Sequence, residues 1–223
     1  TTLLRLDPTA GWALDLDALR DALRPETRLI VVNFPHNPTG ALPDRETFEA
    51  LIDLARESGV YLFSDEVYRF LELDPGDRLP GAVDRYERGI SLGVMSKAFA
   101  LAGLRVGWLA THDTGLLQRV AAFKDYTSIC NSAPSEILAL IALRARETVL
   151  ARSMGIITQN LAHLDRFFAT WADVFEWVRP RAGSIGFPRL PADLPVERFA
   201  AELVEEEGVL LLPGTLYDHP GNH

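Results

Sequence analysis

Short β-branched runs alternate with amphipathic stretches along the first half of the chain, and this alternation restricts the fold more than any other feature. The run Leu29–Asn33 (LIVVN) reads as a buried parallel strand, since its first four positions are apolar and mostly branched at Cβ. Asp44 then opens a helix that puts Phe48, Leu51, Ile52 and Ala55 on one face, and Gly59 stops it. Residues 60–64 (VYLFS) read as a second buried strand, 90–95 as a third and 106–110 as a fourth. Ahead of them lie a short apolar segment at 3–6 and leucines at helical spacing over 15–23. Strands separated by helices predict an α/β fold with a mostly parallel sheet.

From about residue 114 the pattern becomes helical, over 116–123, 135–150 and 153–171. Residues 184–190 and 209–212 then read as strands, with the acidic helix Val196–Glu207 between them. The expectation is a larger unit over 1–150, followed by a linking helix and part of a smaller α+β unit over 151–223. There is no internal repeat and no low-complexity segment. Secondary structure begins almost at once, and the chain stops on the turn His219-Pro220-Gly221-Asn222-His223, so further sequence is expected on each side.

The formal net charge of −9 argues against nucleic acid or an anionic membrane as a general partner, because both select basic surfaces. No stretch approaches the about 18 apolar residues of a membrane span. The first residues lack the basic and apolar segments of a signal peptide. Cys130 is the single cysteine, which rules out an internal disulfide and makes the cytoplasm the default address. Of 22 basic residues only Lys97 and Lys124 are lysines, leaving 20 arginines. A retained lysine in such a background points to chemistry that a permanently protonated guanidinium cannot do, Schiff-base formation above all.

Lys97 follows an apolar strand and stands in a loop of small residues. Burial there, with a cation nearby, favours the neutral amine that attacks a carbonyl. Arg105 can grip a phosphate by two hydrogen bonds, and Gly103 and Gly107 allow close backbone approach. A solvated loop lysine and a surface arginine are the plain alternative for these residues taken singly.

Taken in full, Ser96-Lys97-Ala98-Phe99-Ala100-Leu101-Ala102-Gly103-Leu104-Arg105-Val106-Gly107-Trp108 resembles the cofactor-lysine signature of class I and II aminotransferases. That signature, Ser-Lys-x-Phe-x-x-x-Gly-x-Arg-x-Gly-Trp, is matched at every fixed position. Three more segments follow the family's order: Asn37-Pro38-Thr39-Gly40, then Ser64-Asp65-Glu66-Val67-Tyr68, and Pro213-Gly214 after the apolar residues 210–212. The resemblance runs along essentially the whole chain. It implies the fold-type I, three-layer pyridoxal-phosphate-transferase architecture. Residues 1–150 would then be the C-terminal portion of the large cofactor-binding domain, and 151–223 a linking helix with an incomplete small domain.

The resemblance also implies roles. Lys97 would carry pyridoxal 5′-phosphate as a Schiff base and move the substrate proton. Asp65 would pair with the pyridinium nitrogen, keeping the ring an electron sink. Tyr68 and Asn37 would hydrogen-bond the ring's O3′, and Ser96 and Arg105 would hold the phosphate. The Asn37–Pro38 bond is one that is often cis in the family. Substrates would be an amino acid and a 2-oxo acid, and the full-length enzyme a homodimer. Residues 127–134 sit where members reach toward the partner subunit.

Val94 departs from the pattern, occupying the place of a second phosphate-binding serine, which shifts the expected phosphate grip onto Ser96, Arg105 and groups outside this chain. Also outside it are the family's glycine-containing phosphate loop, the aromatic stacking on the ring, and the final arginine for the substrate carboxylate. The chain by itself is therefore expected to turn over amino acids poorly or not at all. A lyase, decarboxylase or cyclising synthase of the same fold fits the same residues. A ligand-sensing domain of a transcription regulator fits less well, because Asn37 is present and no DNA-binding segment is seen. His36 stands beside the Asn37 loop, as a site residue or as polar filler. His219 and His223 have the spacing of a helical metal pair, but Pro220 and Gly221 forbid that helix. No metal is expected.

Overall fold

In the computed structural model, which describes every residue except Ala192 and Pro220, capping side chains set where the helices begin. Asp15 accepts a hydrogen bond from the Ala18 amide (2.9 Å) and opens α1 (Leu16–Ala22). Strand β1 (Leu29–Asn33) follows. Asp44 accepts from the Thr47 amide (2.7 Å) to open α2 (Arg45–Glu57), and Gly59, with φ +64°, turns the chain out of it. Then come β2 (Tyr61–Asp65), the short α3 (Ala82–Arg85), β3 (Gly89–Val94) and β4 (Gly107–Thr111). Asp113 caps α4 (Thr114–Asp125) through the Leu116 amide and also accepts a hydrogen bond from the Tyr61 hydroxyl. The chain continues through α5 (Ala133–Arg144), the 25-residue α6 (Arg146–Thr170) and α7 (Val196–Glu207).

The sheet order is β1-β2-β3-β4. The first three strands are parallel, and β4 returns antiparallel to β3 across a loop that holds a 3-10 turn rather than a crossover helix. Helices α1–α3 cover one face. Ile30, Leu62, Phe48, Leu51, Ile52, Ala55 and Tyr86 form the main core there, and the Tyr86 hydroxyl donates to the carbonyls of Ala55 and Val60. A second core joins Tyr68, Leu71, Met95, Ala98 and Phe99 to Ala139 and Ala142 of α5. A third gathers Trp12, Ala41 and Phe187.

The structure corrects the sequence reading in three places. The run Leu29–Asn33 is a strand but not a buried one: Val31 is 63 % exposed while its neighbour Ile30 is buried. β1 lies at the sheet's edge, and the helices that cover Ile30 and Leu62 leave the face of Val31 open. Residues 184–190 and 209–212 are extended without a ladder. The first makes a single bridge, Glu176 with Arg189, and Leu210–Leu212 are exposed. An apolar extended segment becomes a strand only where a neighbouring strand offers its backbone groups, and no described segment forms a ladder with 209–212. The helix expected over 135–150 divides at Ala145, and its second part belongs to α6. The boundaries of β2, β3 and β4 move by one residue.

Strand alternation makes a stability prediction. Leu62→Ala, at a fully buried position, should cost about 2–5 kcal/mol in urea unfolding, and Val31→Ala on the open face less than about 1 kcal/mol.

Candidate active site

Strands β1 and β2 end level with each other, Asn33 opposite Asp65 in the parallel register. In open α/β sheets ligands gather beyond the carboxyl ends of the strands. Side chains alternate along a strand, so Asn33 and Asp65 share the open face with Val31 and Phe63. The Asn33 amide nitrogen donates to the Asp65 carbonyl (3.1 Å), and its oxygen accepts from the Asn37 backbone amide (2.7 Å).

The loop that follows contains two cis peptide bonds, Phe34–Pro35 and Asn37–Pro38. His36 Nδ1 shares a hydrogen bond with the Thr39 hydroxyl (2.8 Å), which also accepts from the Ala41 amide (3.2 Å). Gly40 has φ +67°, and a Cβ there would lie 2.3 Å from Cβ of Pro180, so this position requires glycine. Its carbonyl accepts the amides of Arg181 (3.0 Å) and Ala182 (3.2 Å). The same segment reaches the loop after β2, where Leu73 N donates to Arg181 O (3.0 Å) and Gly183 N to Leu71 O (2.9 Å). The side-chain oxygen of Asn37 is buried and has no hydrogen-bond partner.

Asp65 is half-buried, and one carboxylate oxygen accepts from the Val67 amide (3.1 Å). Burial pushes its pKa up, while hydrogen bonds from Val67 and Asn33 and the charge of Lys97 pull it back. Tyr68 is buried, and Lys97 Nζ stands over its ring, 5.3 Å from the centroid. Lys97 itself is exposed, contrary to the expected burial. Ala98 and Phe99 take the inward positions of the loop, which turns the lysine out over Tyr68.

Ser96 and Arg105 stand at the two ends of the loop between β3 and β4. Val94 pairs with Gly107, and the Met95 amide donates to the Val106 carbonyl (3.0 Å), so Ser96 and Arg105 come next on either side. Arg105 adopts a left-handed backbone (φ +54°), and its exposed guanidinium donates to Ala102 O (3.1 Å). Lys97, Tyr68 and Asp65 are thus gathered at one place, and Asn37 is linked to Asp65 through Asn33. Ser96 and Arg105 lie at the adjoining loop.

Sequence reasoning missed two residues. Asn33 carried one signal, a polar side chain closing an apolar strand. Glu66 is buried beside Asp65 but faces the other way, accepting from the Ala82 amide (3.0 Å) and the Ser91 hydroxyl (2.7 Å). His219 and His223 meet edge to face (4.7 Å) in an aromatic cluster with Trp12 and Phe187, and burial lowers the pKa of both. Pro220, invoked above as a helix breaker, lies outside the described residues. Residues 127–134 are largely exposed.

The α/β sheet thus gathers a lysine, an aspartate, a tyrosine and an asparagine near its strand ends. The family model for aminotransferase class I and II matches residues 3–222, and the chain belongs to this family. It is 32 % identical over 212 residues to capreomycidine synthase of Streptomyces vinaceus, covering 95 % of this chain and 54 % of that protein. It is 31 % identical over 212 residues to the aspartate/prephenate aminotransferase of Thermus thermophilus, covering 93 % of this chain and 54 % of that one. The crystal structure of a PLP-dependent aminotransferase from Streptococcus suis superimposes with a TM-score of 0.90 at 35 % identity, over 97 % of this chain and 56 % of that one. The chain thus spans about half the length of the relatives it matches. Pyridoxal 5′-phosphate is the cofactor of the family, and the residues fit it. The Lys97 amine, exposed over the Tyr68 ring, is open to an aldehyde, and the half-buried Asp65 carboxylate is an acceptor for a ring N–H.

Two titrations follow. Burial lowers the His36 pKa to about 4 from 6.5, so the folded chain holds this ring neutral. That contribution is full above pH 6.5 and is lost as pH falls toward about 4. His36→Asn, which keeps a partner for Thr39, should flatten the acid limb of the stability curve in pH-dependent urea melts. The sign for Asp65 is opposite: its raised pKa makes the ionised carboxylate a cost that grows as pH rises through the raised value. Asp65→Asn should therefore raise the thermal midpoint of the cofactor-free chain at pH 7, with the gain vanishing in the ordinary carboxylate range.

Proposed function

We propose that this protein is a pyridoxal-phosphate-dependent aminotransferase that moves an amino group between an amino acid and a 2-oxo acid. The observation that carries the reading is Lys97 Nζ poised over the Tyr68 ring, within the electrostatic reach of Asp65. In this reading the bound cofactor supplies an electron sink next to the substrate's Cα. Lys97 accepts and returns the Cα proton at Nζ. Asp65 offers its carboxylate to the pyridinium nitrogen. The Tyr68 hydroxyl and the Asn37 amide hydrogen-bond O3′, and Ser96 and Arg105 hold the phosphate. Residues 1–150 act as the cofactor-binding unit and 151–223 as the linking helix with part of a smaller unit.

A homodimer in the cytoplasm completes the proposal. Large apolar side chains exposed on α4, on α5 and on the loop joining them, among them Phe123, Tyr126, Ile129 and Ile137, support the dimer, and the one exposed cysteine supports the compartment. No helix among the described residues is long and apolar enough to cross a membrane.

A second reading is a cyclising synthase of the same fold, favoured by the 32 % identity to capreomycidine synthase. The two are separated on the protein expressed from its whole open reading frame and loaded with cofactor. An aminotransferase given an amino acid alone loses the starting absorbance, and a 2-oxo acid restores it. A synthase returns the starting absorbance without any 2-oxo acid. Lys97→Ala should lower turnover at least about a hundredfold in either case, and retained turnover would remove both readings.

A further inference from the structure

We infer that Asn33 is a positioning residue that ties the backbone of Asp65 to the backbone of Asn37, so that the two side chains meet the cofactor as one rigid unit. The inference rests on the site reading above and adds to it a residue that touches neither substrate nor reacting atoms. Its two amide ends are used at once and in opposite directions. Nδ2 donates to Asp65 O at 3.1 Å, and Oδ1 accepts from Asn37 N at 2.7 Å.

The remaining hydrogen bonds of the region show why this link matters. Asp65 O already accepts from Phe34 N (3.2 Å), so the Asn33 amide fills its second lone pair. Within the Asn37 loop, His36 N donates to Ala41 O (2.9 Å) and Gly40 N to His36 O (2.8 Å), and both bonds are internal to the loop. The tethers from Arg181 and Ala182 grip its far end at Gly40. Asn33 supplies the bond at Asn37 itself, and it ties the loop to the strand ends.

The chemistry on the far side is a planar ring whose nitrogen and O3′ keep a fixed separation. Two protein groups that meet both positions gain from being held at a matching separation before binding. A carboxamide donates to a carbonyl and accepts from an amide through two separate atoms, as Asn33 does here. Aspartate at this position keeps the acceptor and loses the donor, and leucine loses both at nearly the same volume.

The test uses Asn33→Leu and Asn33→Asp. It reads amide hydrogen exchange along the 223-residue chain, and pyridoxal phosphate affinity of the protein from its whole reading frame, by the visible absorbance of lysine-bound cofactor. Asn33→Leu should speed exchange at Asn37 about tenfold, the loss of one hydrogen bond, and weaken cofactor affinity by about tenfold or more. Asn33→Asp should hold Asn37 exchange within about twofold of the parent while still weakening the cofactor, because only the Asp65 tie is lost. Unchanged Asn37 exchange in Asn33→Leu overturns the inference, and so does acceleration spread evenly over all strands, which marks a merely structural residue. A parent protein that takes no pyridoxal phosphate onto Lys97 overturns the site reading, and the exchange measurement then still decides whether Asn33 holds the Asn37 loop.

Discussion

The parallel register of β1 on β2 is the constraint on which the site depends. It is set by apolar packing on the other face, where Ile30 and Leu62 are held against α2. Side-chain direction alternates residue by residue, so a slip of one position would send Asn33 toward the helices and break its opposition to Asp65. The hydrophobic core under α2 therefore does more than stabilise the sheet. It decides which polar side chains emerge at the strand ends and that they emerge level.

The same alternation divides two adjacent carboxylates between two tasks. Glu66 turns inward, where the Ala82 amide, the Ser91 hydroxyl and the nearby Arg69 guanidinium occupy it. A buried charge so fully bonded is committed to the architecture. Asp65 turns outward onto the open face, partly desolvated and still close enough to Lys97 to feel its charge. Burial without complete pairing leaves a carboxylate ready for an outside cation or an N–H donor.

Much of this is readable from residues alone. Asp44, Gly59 and the apolar face between them gave α2, because capping and helical periodicity are local properties. The helix Val196–Glu207 was readable for the same reason. The order of Asn37, Asp65, Tyr68, Lys97 and Arg105 pointed to the family, since motif spacing survives when overall identity is low. What failed depends on partners far away in sequence. Val31 and Lys97 read as buried because their neighbours are apolar, yet exposure depends on what lies across the sheet or loop. Residues 209–212 have strand-like composition, and no described segment completes a ladder with them. Asn33 reads as the end of a strand, and only the three-dimensional register shows that its amide joins the end of β2 to the Asn37 loop.

The segment 180–183 stitches the Gly40 loop and the loop after Tyr68 to a single backbone. The two loops thus share one backbone anchor, reached from α6 through residues 171–179. Sliding that segment would load the hydrogen bonds to both loops together, so the Asn37 and Tyr68 walls cannot drift apart independently. The spacing of these two loops is therefore a property of the chain's second half as much as of the sheet that displays the chemistry.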